Sequence, residues 1–134
     1  MTGPAVTTAR VLVVDDEPHI GQIIRTRLEQ GPFTVMLAGD GGEALALLAQ
    51  HDDTRLIVLD LMLPGMSGLE VLRTLRQDDR WRALPCLVLT AAGQDSHFRE
   101  AQALGVADVL TKPFSPRRLF ERVLALTVPV QHDA

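Results

Sequence analysis

The 134-residue sequence has no tyrosine, one tryptophan, one cysteine and one lysine. A lone thiol, Cys86, excludes an intrachain disulfide and suits a reducing compartment. No stretch approaches the roughly 20 consecutive apolar residues that span a bilayer. The first residues, Met1 to Arg10, lack the apolar core of a secretory leader. A cytoplasmic protein with no membrane partner is therefore expected. Strong basic charge is missing too. Lysine and arginine total 13 against 17 acidic residues, for a net charge of −4. That balance gives no basic patch for nucleic acid, so no direct nucleic-acid binding is expected of the chain. What is present is enough for one core. Hydrophobic residues make up 46% and charged residues 22%, the balance of an ordinary single domain.

Four apolar runs punctuate the chain: Val11 to Val14, Leu56 to Leu59, Leu87 to Leu89, and Val109-Leu110. They are continuous rather than alternating, as in strands covered on both faces of a parallel sheet. A weaker strand is expected at Thr34 to Ala38. Between these runs lie segments with helical spacing. Ile20, Ile23, Ile24 and Leu28 fall on one face. Leu69, Leu72 and Leu75 share another, and Leu119, Val123 and Leu126 a third. Ser67 with Glu70, and Asp40 with Glu43, read as capping boxes. Ser115-Pro116 reads as an N-cap followed by proline at the first helical position. Gly105 is placed to end a helix that begins near Asp95. The pattern is strand then helix, five times over, which predicts an α/β fold with a parallel sheet and helices on both faces. No linker, repeat or low-complexity tract divides it. The expected organisation is an N-terminal extension over residues 1–9, one domain over 10–126 and a tail over 127–134.

The polar residues at the strand ends carry the chemistry. Asp15 and Asp16 follow the first run, Asp60 the third strand and Thr90 the fourth, with Lys112 just past the fifth. In a parallel α/β sheet these ends share one edge, where ligands bind. Three carboxylates brought together repel one another and resist joint ionisation. A divalent cation relieves that, and Mg²⁺ prefers one or two carboxylates with phosphate oxygens and water. The remaining carboxylate, Asp60, can attack phosphorus to form an aspartyl phosphate. Lys112 offers a point charge to the phosphoryl oxygens, and Thr90 a hydroxyl donor.

Four segments sharpen this reading: Val13 to Pro18 (VVDDEP), Leu59 to Gly68 (LDLMLPGMSG), Leu89 to Ala91 (LTA) and Thr111 to Phe114 (TKPF). In this order, on these strand ends, they resemble the response-regulator receiver family of two-component signalling, from about Arg10 to Leu126. The resemblance implies a flavodoxin-like (βα)5 doubly wound fold with strand order 2-1-3-4-5. It implies Asp60 as phosphoacceptor, and Asp15, Asp16 and Asp60 as holders of Mg²⁺ (or Mn²⁺). Met62 would lend a backbone carbonyl to the metal. Thr90 would be the switch hydroxyl, Ala91 would turn its backbone amide to the phosphoryl group, and Lys112 would bind phosphate. Lys112-Pro113 corresponds to a bond that is cis in the family. A sensor histidine kinase or phosphotransfer protein is the implied donor, with a separate protein target or a homodimer downstream. Such a protein catalyses only its own phosphoryl transfer and dephosphorylation. One departure concerns the readout. Where the family commonly has Tyr or Phe three residues before the lysine, this chain has Val109.

Each residue alone has an ordinary explanation: an acidic pair capping a helix, an aspartate before a turn, a satisfied strand-end hydroxyl, a solvated lysine. Together the five leave those explanations improbable. His19 fits a surface or capping role, Cys86 a small core hydrophobe, Trp81 a local packing anchor. Arg117, Arg118 and Arg122 form either a solvated face or a dimer or partner surface. Two rival readings stand beside the receiver. One is a phosphorylation-independent interaction module, motivated by Val109. The other is a Mg²⁺-dependent phosphohydrolase, which would want a second aspartate where Met62 stands. Met62 and Ala92, two residues past Asp60 and Thr90, cannot orient an attacking water by side chain. A long-lived phosphoryl state is therefore expected.

Overall fold

The computed structural model describes residues 8–91, 93 and 95–127. Ala92 and most of the two terminal segments lie outside the described residues. Among the described residues, five strands alternate with five helices: β1 Ala9–Val14, α1 Pro18–Glu29, β2 Phe33–Ala38, α2 Gly41–Gln50, β3 Thr54–Asp60, α3 Gly68–Arg76, β4 Cys86–Ala91, α4 Asp95–Ala103, β5 Asp108–Lys112 and α5 Pro116–Thr127. All pairings are parallel, in the order β2-β1-β3-β4-β5. The strand order expected from the family resemblance is the one observed.

The unbroken apolar runs are explained by a core on each face of the sheet. Leu12, Val14, Ile57, Leu59 and Val88 pack with residues of α2 and α3. Their neighbours Val11, Val13, Leu56, Val58, Leu87 and Leu89 pack with Ile24 and Leu28 of α1 and with Leu119 and Val123 of α5. Because successive strand side chains point to opposite faces, both halves of each run must be apolar. Burying that much β-branched and leucine surface supplies most of the favourable free energy, at about 25 cal/mol per Å².

The caps hold the helices at the site edge. The Glu43 amide donates to Asp40 Oδ1 at 2.7 Å, and Glu43 Oε1 accepts from the Gly39 amide at 2.6 Å. The Glu70 amide donates to Ser67 Oγ at 3.2 Å and the Arg118 amide to Ser115 Oγ at 2.9 Å. Gly105 follows α4 with φ of 74°, a left-handed closure that glycine adopts without strain. One helical position differs from expectation. Ile23 is 48% exposed, whereas Ile24 and Leu28 are fully buried. The physical reason is angular. Ile23 lies one residue, about 100°, from Ile24 around the helix, so it leaves the buried stripe.

A tie that the pattern did not announce closes the α3–β4 connection. The Arg76 guanidinium donates to the carbonyl oxygens of Leu104 (2.7 Å), Leu84 (3.1 Å), Arg82 (3.2 Å) and Gly105 (3.3 Å). Trp81 is buried in the same region, in the cluster that includes Leu72, Leu75 and Leu84.

Candidate functional site

Sheet register sets the site. Val14 pairs with Leu59, so Asp15 and Asp60, the next residues, end level on adjacent strands. Asp60 pairs with Leu89, Thr90 with Thr111 and Ala91 with Lys112. Thus the C-terminal ends of β1, β3, β4 and β5 bring Asp15, Asp60, Thr90 and Lys112 to one edge. Asp16 joins them from the β1–α1 connection. One carboxylate oxygen each of Asp15, Asp16 and Asp60 lie within 4.8 Å of one another. Asp15, Asp60 and Thr90 are buried, while Asp16 is exposed.

Lys112 joins two of the strand ends. Its Nζ donates to Asp60 Oδ2 at 2.8 Å and to Asp15 Oδ2 at 3.0 Å, and lies 3.7 Å from Glu17 Oε1. The other oxygens of the two aspartates accept from backbone. Asp60 Oδ1 takes the Met62 amide at 2.9 Å, and Asp15 Oδ1 takes the Glu17 amide at 2.9 Å. Every oxygen of the two buried carboxylates therefore has a donor, as buried charge requires.

Burial pushes the Asp60 carboxyl above the ordinary range. Lys112 and the Met62 amide pull it back, and the neighbouring Asp15 charge adds to the rise. Burial alone would lower the Lys112 ammonium. Its hydrogen bonds to Asp60 and Asp15 outweigh that, and the net direction is up. A protonated lysine is thus held between two carboxylates. Three carboxylates against one ammonium leave the cluster net negative. The donor set, all hard oxygen at short mutual range, fits a divalent cation such as Mg²⁺ or Mn²⁺.

The remaining candidates fall at varying distances from this centre. The Thr90 hydroxyl has a long 3.4 Å hydrogen bond to the Ala91 carbonyl. The Met62 side chain is 49% exposed, leaving only its backbone directed at Asp60. The Lys112–Pro113 bond is cis. Val109 is half-buried against the α3–α4 side core, its amide donating to Asp108 Oδ1 at 2.8 Å. His19 is exposed, with Nε2 4.0 Å from Glu17 Oε2, and is not among the clustered carboxylates. Sequence reasoning missed the reach of Glu17 toward Lys112. It also missed Gly68, the first residue of α3, which packs on the backbone of Asp60 and Leu61. A glycine at the first position of a helix, eight residues past a strand-end aspartate, was the available signal.

A doubly wound parallel sheet with an acidic cluster and one lysine at its C-terminal edge defines a class of α/β protein that takes its ligand at the strand ends. Within that class the relationship is specific. Residues 11–124 match the response regulator receiver domain, and the chain belongs to that family. It is 42% identical over 119 residues to the DNA-binding dual master transcriptional regulator RpaA of Synechocystis, covering 87% of this chain and 48% of that protein. It is 41% identical over 119 residues to the transcriptional regulatory protein ResD of Bacillus subtilis, covering 87% and 47%. The chain thus spans about half the length of these relatives. Among solved structures, Vibrio cholerae chemotaxis protein CheY4 superposes with a TM-score of 0.82 at 31% identity, over 90% of this chain and 99% of that one. The chain is a receiver domain of two-component signalling, a class that works with histidine kinases or phosphotransfer proteins. Among the described residues, no helix is long and apolar enough to cross a membrane.

Proposed function

We propose that this chain accepts a phosphoryl group on Asp60, from a histidine kinase, a phosphotransfer protein or a small phosphodonor, in a Mg²⁺-dependent reaction. The observation that carries the reading is the Asp15–Lys112–Asp60 bridge beside Asp16, with its oxygens within 4.8 Å. One carboxylate oxygen of Asp60 attacks phosphorus as the bond from phosphorus to the donor's imidazole nitrogen breaks. The electron pair leaves with the imidazole, and Asp60 becomes an acyl phosphate. Asp15, Asp16, Asp60 and the Met62 carbonyl would hold Mg²⁺ or Mn²⁺, which supplies charge neutralisation for the phosphoryl oxygens. Lys112 stays protonated and pairs with the oxygens that Asp60 receives. The Thr90 hydroxyl and the Ala91 amide are the remaining donors for them. Phosphoryl transfer asks mainly for such positioning and charge stabilisation.

Incubation with acetyl phosphate and Mg²⁺, followed by intact mass, tests this directly. One phosphoryl adduct is expected on the wild type and none on Asp60→Asn. A folded wild type that takes no adduct from any donor contradicts the proposal. Dephosphorylation is expected to be slow, because the exposed Met62 side chain cannot activate water. Decay as rapid as in fast chemotaxis receivers would refute that expectation.

The second reading, a phosphorylation-independent interaction module, draws on Val109. A half-buried valine cannot swing between two exposures as a large aromatic can. Downstream, we propose signalling to a partner protein or a second copy through the surface near α4 and β5. On α5, Arg122 already pairs with Asp108 and Arg117 with Glu121.

A further inference from the structure

We infer that Gly68 is a positioning residue for Asp60, a role that rests on the functional reading above. A Cβ added at Gly68 would lie 2.6 Å from Leu61 Cα and 3.1 Å from Asp60 C, and closer still to the Asp60 carbonyl oxygen. All three are backbone atoms of the residue that bears the reacting carboxylate and of its neighbour. No rotamer change relieves them. The Gly68 amide also donates to the Leu61 carbonyl at 3.1 Å, so the first turn of α3 is seated on the end of β3.

Two anchors decide which side yields. Helix α3 buries Leu69, Val71, Leu72 and Leu75, and Ser67 caps it. Asp60 is the last residue of β3; the Leu61 amide makes one further bond, to the Leu89 carbonyl at 3.0 Å, and residues 62–67 lie outside the strands and helices. A Cβ at position 68 therefore presses on the backbone at the frayed end of β3, where one bond beyond Asp60 resists it, before it lifts four buried side chains off the sheet. That backbone carries the 2.9 Å bond from the Met62 amide to Asp60 Oδ1. Gly68 thereby holds the orientation of the carboxylate, without touching phosphate or metal.

A matched control exists at Gly41. There an added Cβ would come 2.7 Å from Val71 Cγ2 and 3.1 Å from Met66 Cβ. The crowding is comparable, but it falls on movable side chains rather than on the Asp60 backbone. The test compares Gly68→Ala with Gly41→Ala in three measurements: thermal melting, the Met62 amide resonance without donor, and the rate of adduct formation from acetyl phosphate at saturating Mg²⁺. Gly68→Ala is expected to melt cooperatively and to move the Met62 amide upfield as its hydrogen bond weakens. It should slow phosphorylation on the order of tenfold to a hundredfold, the scale of an ångström misplacement. Gly41→Ala should leave the resonance and the rate within about twofold of wild type.

A folded Gly68→Ala with an unmoved Met62 amide, or one phosphorylated at the wild-type rate, overturns the inference. Equal slowing in the two variants, or a Gly68→Ala chain that does not fold, assigns Gly68 a purely structural role and overturns it as well. If the wild type itself accepts no phosphoryl group, the functional reading fails, and the Met62 amide shift alone decides whether Gly68 orients Asp60.

Discussion

Lys112 is the residue whose removal separates binding from chemistry. Its ammonium donates to both Asp60 and Asp15, so it stabilises the carboxylates where a cation would otherwise be needed. Lys112→Ala should lower metal-free stability by about 2 kcal/mol, less than a fully buried pair would cost, because the lysine is partly exposed. It should raise Mg²⁺ affinity at least several-fold, since one positive charge leaves the cluster, worth about 1 kcal/mol per unit charge at about 4 Å even with the screening of bulk water. Phosphorylation should nonetheless slow sharply, because the charge proposed to pair with the phosphoryl oxygens is gone. Calorimetric Mg²⁺ titration and adduct rates on one variant read the opposite signs. Asp15, Asp16, Asp60, Thr90 and Lys112 were legible in the sequence because each follows a β-branched or leucine run, and parallel topology stacks those ends on one edge. Gly68 and Glu17 were not legible in their roles. One acts by backbone approach and the other by side-chain reach, and neither distance is written in a pattern.

At the scale of elements, the helices and strands followed from periodicity and caps, because period and capping chemistry are local properties. Ile23 misled, since a set of three isoleucines and a leucine spans more arc than α1 buries. The tie at Arg76 was invisible because its acceptors are main-chain carbonyls, some nearly 30 residues away. Arg76→Met should cost about 2–3 kcal/mol in chemical denaturation, by leaving several carbonyls of the α3–β4 and α4–β5 connections without their donor. The phosphorylation rate should be unchanged, because the tie lies at the opposite end of the strands from Asp60. In β4, burial pushes the Cys86 thiol up to about 11, with Arg76 opposing. A raised thiol stays protonated at pH 8, and the thiolate is the reactive form. Labelling of native protein by a disulfide reagent should be on the order of a hundredfold slower than of unfolded protein. Comparable rates would show that β4 opens readily.

At the scale of the whole molecule, the fold delivers the site to a single edge, and the proposed readout lies on the α4–β5 side. Val109 is half-buried there, its amide held by Asp108, which in turn pairs with Arg122. A beryllofluoride and Mg²⁺ titration followed by amide shifts should perturb Asp60, Met62, Thr90 and Ala91 strongly. The shifts around Val109 should be smaller than those an aromatic switch produces. Large shifts through α4 and β5 would show that the signal crosses without an aromatic. No shift beyond the strand ends would favour the phosphorylation-independent reading.

Asp60 is the group proposed to take phosphorus. After treatment with acetyl phosphate and Mg²⁺, borohydride reduction converts an aspartyl phosphate to homoserine, and tandem mass spectrometry of the peptide containing Leu59 to Gly68 locates it. Homoserine is expected at position 60 alone, and none when Mg²⁺ is chelated. Homoserine at another aspartate, or an adduct that persists in Asp60→Asn, would contradict it.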